Sequence, residues 1–430
     1  MPVPLAFRRQ DHPAMELPPA EVELSVVMPC LNERNSLAVC IGKAKQFIRD
    51  HAESGEIIVA DNGSTDGSQE LAAELGARVI HVREKGYGCA LDGGIRAARG
   101  RFVVMGDSDD SYDFSALEPF LVELRRGADL VMGNRFRGGI APGAMPLLHR
   151  YFGNPFLSFV GRTFFRSPCS DFYCGLRAFT REGYQKLNMQ APGMEFALEM
   201  LAKATMYGLT VREVPTTLSP DKRGRPPHLR RWRDGWRSLR FFLLFSPKWL
   251  FWFPGLALFA IGASAMATLA FGPITVGSVT FNYHTLLAAS AATITGFQSA
   301  CLAVCAKYAA LISGVHPRRP HLERLLDSLT LKRGLAIGGG MAVLGVAGAV
   351  AAFLQWSRAN FGELQPGTAL RLLIYSFTLL ILGGQGIFVS FYLSTLRMYR
   401  EWASHRTLDA ASDEQLDGED ASLIPPPHAR

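Results

Sequence analysis

A mainly parallel α/β sheet with helices on both faces, followed by a membrane-crossing helical domain, is the fold class this sequence predicts. Three observations predict it. Short apolar runs alternate with segments of helical period between Glu23 and Met132, the pattern of strands joined by helical crossovers. Polar clusters close several of those runs, and ligands in such sheets sit outside the carboxyl ends of the strands. Four long uncharged stretches begin at Trp249, each about long enough to cross roughly 30 Å of hydrocarbon.

Taken in order, Met1 to Ala20 is proline-rich and lacks the apolar run of an export signal, the Arg8-Arg9 pair notwithstanding, so the domain after it is expected to stay in the cytoplasm. The tail is taken as 1–21. Predicted strands are Leu24–Met28, Glu56–Ala60, Arg78–Val82, Phe102–Met105, Asp129–Met132 and Leu209–Pro215. Predicted helices are Ser36–Arg49, Asp66–Leu75, Cys89–Ala98 and Phe114–Arg126. The first domain spans 22–220. Seven cysteines form an odd set with no C-x-x-C, which points to reduced thiols and away from a disulfide framework or a zinc site. The net charge of +7 raises nucleic acid as a partner, but the cations cluster beside the hydrophobic stretches, which favours an anionic membrane surface instead.

The chain is organised around FVVMGDSDDSYD, Phe102 to Asp113, an apolar run that stops at a glycine and then delivers four carboxylates. Carboxylates this close repel one another in a dry site, so Asp107 and Asp109 call for a divalent cation between them, Mg²⁺ or Mn²⁺. Such a cation usually completes its shell with water and substrate phosphates, which suggests a nucleoside diphosphate ligand. The plainer reading is a solvated turn capping the next helix. Two further clusters decide between them: MPCLNE (Met28 to Glu33) closes the first strand and ADNGSTDGS (Ala60 to Ser68) the second. Either alone is an ordinary loop or cap, but all three on one sheet edge mark a nucleotide-sugar site.

These motifs, with REKGYGCALDGGIRAARG (Arg83 to Gly100), GNRFR (Gly133 to Arg137), SDFYCGLRAF (Ser170 to Phe179) and the Glu195/Glu199 pair, resemble the family-two glycosyltransferases of the GT-A fold. The nearest branch is the polyprenyl-phosphate sugar synthases of the dolichyl-phosphate mannose or glucose type. The resemblance implies that Pro29, Asn32 and Glu33 line the nucleoside pocket, with Asp61 on the base or ribose. It gives Asp66 and Lys85 supporting or phosphate-side positions, and makes Asp107 and Asp109 the holders of the metal. Two departures stand out: Asp61-Asn62 replaces an aspartate pair, and Ser111 stands where the mannose synthases have glutamine. The third protein ligand is therefore Ser111, Asp110 or water. By resemblance Arg135 holds the lipid phosphate, with Arg137 and Arg225 as helpers. Arginine suits that task because its planar fork makes two charge-assisted hydrogen bonds. Arg177 is read either as a structural partner of Asp171 or as a direct participant. Glu199 either orients sugar or acceptor or is structural.

GNRFRGGIAPGAMP, Gly133 to Pro146, reads as a mobile loop over the acceptor site or a plain connection. Lys222 to Lys248 carries nine Lys or Arg, with Leu229, Trp232, Trp236, Leu239 and Leu243 at helical spacing. That makes 221–248 a basic amphipathic helix in a membrane interface. The transmembrane domain is 249–396, with spans near 249–271, 286–306, 335–356 and 372–393. Lys307, Arg318, Arg319, Arg324, Lys332 and Arg333 separate the second span from the third, so the positive-inside rule puts both chain ends in the cytoplasm. Gly338 to Gly340 permits close helix packing and self-association into a homo-oligomer. The tail 397–430 turns acidic and proline-rich from Asp409, and is expected to be disordered.

The function these features imply is transfer of a sugar from a nucleotide donor to a polyprenyl phosphate, with inversion by resemblance. A phosphate monoester with a second pKa of about 6 is already anionic near neutral pH, so no strong general base is required. Two alternatives compete. A processive polysaccharide synthase would carry Q-x-x-R-W, for which this chain offers only HLRRW, His228 to Trp232. A non-catalytic membrane scaffold would have no need of the D-S-D turn.

Overall fold

The computed structural model describes residues 20–222, 231–317, 320, 323–324, 328–358, 360 and 366–422. The chain divides into two compact units, Met1–Ser246 and Pro247–Arg430.

The first unit is built on seven strands: β1 Val22–Cys30, β2 Gly55–Asp61, β3 Arg78–His81, β4 Gly100–Met105, β5 Leu130–Asn134, β6 Arg177–Thr180 and β7 Val211–Pro215. They lie in the order β3-β2-β1-β4-β6-β5-β7. All neighbours are parallel except β6, which runs antiparallel between β4 and β5. Sequence periodicity supplied every strand but β6, whose four residues are too few for any period to register.

The helices of this unit are α1 Arg34–His51, α2 Ser68–Glu74, α3 Tyr87–Ala97, α4 Glu118–Arg125, the single turn α5 Arg135–Gly138, α6 Asn154–Phe165, α7 Arg181–Leu187, α8 Glu195–Met206 and α9 Arg231–Phe245. One core joins Leu24, Val26, Met28, Phe102 and Val104 of the sheet to Leu37, Ile41 and Phe47 of α1 and to Phe120 and Leu124 of α4. On the opposite face α3 approaches so closely that a Cβ at Gly94 would lie 2.7 Å from Val27 and 2.9 Å from Ala60. Packing this tight leaves no room for a methyl group. The sequence order of β1 and β4 reverses direction in the sheet, and the crevice between their carboxyl ends is where such sheets bind ligands.

Helix α6 was not anticipated. A short π turn, His149–Gly153, leads into it, and Pro155 sits in its first turn, where the missing N–H costs nothing. Residues 149–165 are therefore helical, in a stretch to which sequence periodicity assigns no element. Helix α9 also differs from its expected amphipathic pattern. Its described residues bury Ser238, Phe242 and Phe245 and leave Trp236 and Leu244 exposed. Phe242 sets its ring edge-on at 5.8 Å from Phe165 and 5.9 Å from Phe172, so this helix packs on protein along one face. Arg225 and Leu229, and the side chain of Trp232, lie outside the described residues.

The second unit holds four helices long and apolar enough to cross a membrane: Lys248–Leu269, Tyr283–Ile312, Leu331–Arg358 and Ala369–Arg400. The windows read from hydropathy are mostly shorter because they stop at polar residues, whereas helical hydrogen bonding does not. A two-stranded hairpin, Ile274–Val276 with Val279–Phe281, joins the first two. Small residues let the helices meet backbone to backbone. A Cβ at Gly338 would be 2.7 Å from the Gly383 carbonyl, and one at Gly345 2.6 Å from that of Ser376. Ser290 and Thr378 join their hydroxyls at 2.6 Å across the second and fourth helices. The final helix runs from Pro366 through Ser422, which corrects the expectation of disorder from Asp409.

Candidate active site

The acidic turn begins where β4 ends at Met105. Asp107 accepts a hydrogen bond from the Tyr87 hydroxyl at 2.9 Å. Its other oxygen fills the space over Gly175, where a Cβ would lie only 2.7 Å from it. The Gly175 amide in turn donates to the Tyr112 hydroxyl at 2.8 Å. Burial, and then the neighbouring carboxylate of Asp107, push the Tyr87 phenol well above its ordinary value, so it remains a donor. Asp109 is buried and accepts from the Ser111 amide at 3.0 Å and from the Ser111 hydroxyl at 2.5 Å. Ser111 thus acts on the orientation of Asp109. Asp110 takes a left-handed φ of 59° and turns to Lys43 at 2.8 Å and Lys222 at 2.6 Å. Burial works to raise the Asp110 carboxyl, but these two lysines outweigh it and hold it below the usual range.

The turns after β1 and β2 are tied to each other. Asn32, also left-handed at φ 59°, accepts from the Thr65 amide at 2.8 Å and donates its own amide to Ser64 at 2.9 Å. Glu33 donates its amide to Ser68 at 3.1 Å. Asp61, 1% exposed, gathers the Gly63 and Ser64 amides at 2.9 and 3.2 Å and the Gln69 side chain at 2.6 Å. Asp66 accepts from the Arg34 amide at 3.1 Å and the Ser68 hydroxyl at 2.5 Å. The Pro29 carbonyl accepts from Ser108 at 2.7 Å, which joins the first turn to the acidic one. Lys85 reaches the Asn62 carbonyl at 2.5 Å.

Asn62 accounts for one departure from the family pattern. Its side-chain amide donates to the carbonyls of Val82 at 3.1 Å and Glu84 at 2.7 Å and accepts from the Gly86 amide at 2.9 Å. A carboxylate at this position has no donor for those carbonyls. Asn62→Asp is expected to destabilise the protein by about 1–2 kcal/mol, the cost of losing hydrogen bonds to partly buried acceptors, read as a lowered unfolding midpoint in detergent.

Beyond β5 the arginines separate. Arg135 is 7% exposed, and its fork closes on Asp171 at 2.8 and 2.7 Å. Its amide meets the same carboxylate at 3.1 Å. The partner of Asp171 is therefore Arg135 and not Arg177, and the Arg135 fork is already engaged where an open phosphate ligand had been expected. Arg177 is fully buried and donates to the carbonyls of Cys174 at 2.9 Å, Phe172 at 3.0 Å and Ala197. Arg137 keeps its side chain 63% exposed, 3.9 Å from Glu213. Glu199 is 2% exposed; it pairs with Lys203 at 2.6 Å and accepts from the Gln190 and Ala191 amides. Those contacts take up both its oxygens and give it a structural position. Tyr87 goes unassigned by sequence reasoning although it stands inside REKGYGC, because its target lies 20 residues on, in the turn after β4.

An α/β domain with an acidic turn at its switch point, joined to four membrane-length helices, has the make-up of an integral membrane glycosyltransferase. The chain belongs to glycosyltransferase family 2. The model described as glycosyl transferase family 2 matches residues 25–187, and that of the glycosyltransferase family 2 C-terminal transmembrane region matches 304–397. Low-salt glycan biosynthesis hexosyltransferase Agl6 of Haloferax volcanii is 37% identical over 379 residues, 87% of this chain and 89% of that protein. A dolichyl-phosphate hexose transferase of the same organism is 30% identical over 193 residues, 45% of this chain and 81% of that protein. Among solved structures, glucosyl-3-phosphoglycerate synthase from Mycobacterium tuberculosis in complex with Mn²⁺, uridine diphosphate and glucosyl-3-phosphoglycerate is 25% identical. It covers 52% of this chain and 80% of that one, at a TM-score of 0.41, and the fold assignment does not rest on it.

Proposed function

We propose that this membrane glycosyltransferase moves a sugar from a nucleoside diphosphate donor to a polyprenyl phosphate at the cytoplasmic face of the membrane, giving a lipid-linked monosaccharide. The observation that carries this reading is the position of Asp107 and Asp109 at the carboxyl end of β4 beside β1, on a chain with four membrane-length helices. The dolichyl-phosphate hexose transferase among the relatives supports a lipid phosphate acceptor.

Among the described residues no group of three or more His, Cys, Asp or Glu is arranged to hold a metal ion. The two hard carboxylates of the acidic turn fit a cation that draws its remaining ligands from phosphates and water. Asp107 and Asp109 would hold Mg²⁺ or Mn²⁺, which would neutralise charge on the departing diphosphate. Tyr87 and Gly175 orient Asp107, and Ser111 orients Asp109. The paired turns at Asn32, Glu33, Asp61 and Asp66 wall the nucleoside end beside Pro29, with Lys85 toward the phosphates. On the acceptor side the exposed Arg137 takes the lipid phosphate, and Arg135 holds the loop that carries it. The phosphate oxygen then attacks the anomeric carbon, and the bond to the diphosphate oxygen breaks.

The deciding experiment offers a panel of radiolabelled sugar nucleotides with one short polyprenyl phosphate. Metal-dependent label in a chloroform-soluble product is expected. Linear polymer formed without added lipid phosphate would overturn the reading in favour of a polysaccharide synthase.

Two variants refine it. Arg137→Ala is expected to raise the KM for lipid phosphate about tenfold, the worth of one charge-assisted hydrogen bond, and to leave the donor KM unchanged. Gly175→Ala forces a methyl group against Asp107 and is expected to lower kcat by about 10²-fold, the usual penalty for displacing a site group by about 1 Å. Circular dichroism should show the fold retained.

A further inference from the structure

We propose that this chain pairs with a second copy of itself along its second membrane-length helix, Tyr283–Ile312, with Gln298 of one copy hydrogen-bonded to Gln298 of the other inside the bilayer. Within the chain that helix packs on two sides. A Cβ at Gly262 of the first long helix would lie 2.6 Å from the Thr293 hydroxyl, and Ser290 meets Thr378 of the fourth. The side turned away from both is exposed and carries His284, Ala288, Ala291, Thr295, Gln298 and Leu302. These positions recur at alternating steps of four and three residues, the 3.5-residue period of a seam that faces another helix along its whole length.

Polarity separates this seam from an ordinary lipid-facing surface. Elsewhere the long helices expose large apolar side chains, such as Leu256 and Ile261 on the first, Val343 and Leu344 on the third, and Phe377 and Phe388 on the fourth. The seam instead presents the Gln298 carboxamide midway along its helix, exposed and without a hydrogen bond to any described residue. Hydrocarbon holds no water to satisfy such a group, and acyl chains offer it neither donor nor acceptor. A carboxamide has both, so it is its own complement, and a second copy supplies the match. Two copies inserted in the same sense are related by a twofold axis along the membrane normal, which sets their second helices parallel and each seam residue opposite its equivalent. Ala288, Ala291 and Thr295 are short enough for the two backbones to approach until the amides meet. The glycine contact read from the sequence as a route to self-association is taken up inside the chain at Gly338, which faces Gly383. The inference depends on the protein being membrane-integral and not on the identity of donor or acceptor.

The test places the full chain in liposomes, with the half-buried Cys89 and Cys301 replaced by alanine. A fluorophore at Arg49→Cys, whose side chain is 75% exposed, is counted per vesicle by stepwise photobleaching as the protein-to-lipid ratio rises. Dimers are expected. Gln298→Leu is expected to weaken their association about tenfold, the worth of one hydrogen bond between membrane helices, and Gln298→Asn, which keeps the carboxamide, to retain most of it. A second measurement needs no change at Gln298. With Arg49 restored, Thr295→Cys is expected to give far more disulfide-linked dimer under copper phenanthroline than Ile261→Cys, a control 67% exposed on the first long helix. Monomers at every ratio, association unchanged in Gln298→Leu, or equal cross-linking at 295 and 261 would overturn the proposal.

Discussion

Asp109→Ala is expected to lower sugar transfer by about 10³-fold with the fold intact, measured as radiolabel entering chloroform-soluble product. The magnitude follows from losing one preorganised source of charge stabilisation, typically about 10²–10³-fold, together with one of the two carboxylates proposed to hold the metal. The wild-type turn holds Asp109 through two contacts from Ser111, and the backbone around it is fixed separately. The Asp109 carbonyl accepts from the Lys222 amide at 3.1 Å and that of Ser111 from the Ser219 amide at 2.9 Å. The substitution therefore removes the carboxylate without unravelling the turn. Unchanged transfer by the variant would remove Asp109 from the metal-holding pair.

Asp171→Ala should be among the most destabilising single changes in the α/β domain, at about 3–5 kcal/mol, because it strands a buried guanidinium. For a domain of this size that is a fall of roughly 10 °C in the unfolding midpoint. The double replacement Arg135→Met with Asp171→Leu should recover part of the loss, since it removes both charges. It will not recover all of it, because the Tyr173 amide also donates to Asp171, at 3.2 Å. Arg135→Lys gives a separate readout. A KM for lipid phosphate that rises alone, with stability unchanged, would return Arg135 to the acceptor site.

Much of the sheet was legible because its strands end in abrupt changes of chemistry. The apolar run before Gly106 stops at the acidic turn, and the run before Asp61 stops at a cluster of polar residues, so topology and motif coincided there. The antiparallel β6 was not legible. It begins with Arg177, fully buried and satisfied by three carbonyls that no local pattern reveals. Helix α6 was obscured by Gly153, Pro155 and Gly161, which count against a helix until their positions at its start and against Phe172 are known. Arg135 and Asp171 were both singled out, but 36 residues separate them, and nothing in a linear string says which arginine closes on which acid. The same holds for Tyr87 and Asp107, which meet only once the sheet has brought the start of α3 to the turn after β4.

The placement of β6 bears on how the domain is made. Strands β1 to β4 are complete once residue 105 has left the ribosome, but the β4 flank that β6 will occupy stays an open hydrogen-bonding edge until residue 180 follows it. Pairing across so long a stretch of chain is slow, and an unpaired apolar edge invites association with other nascent chains. Synthesis therefore passes through an interval in which the β1 to β4 half of the sheet is built and exposed. Chaperone dependence should be greatest for ribosome-stalled chains ending between these two strands, and should fall once β6 is free of the exit tunnel.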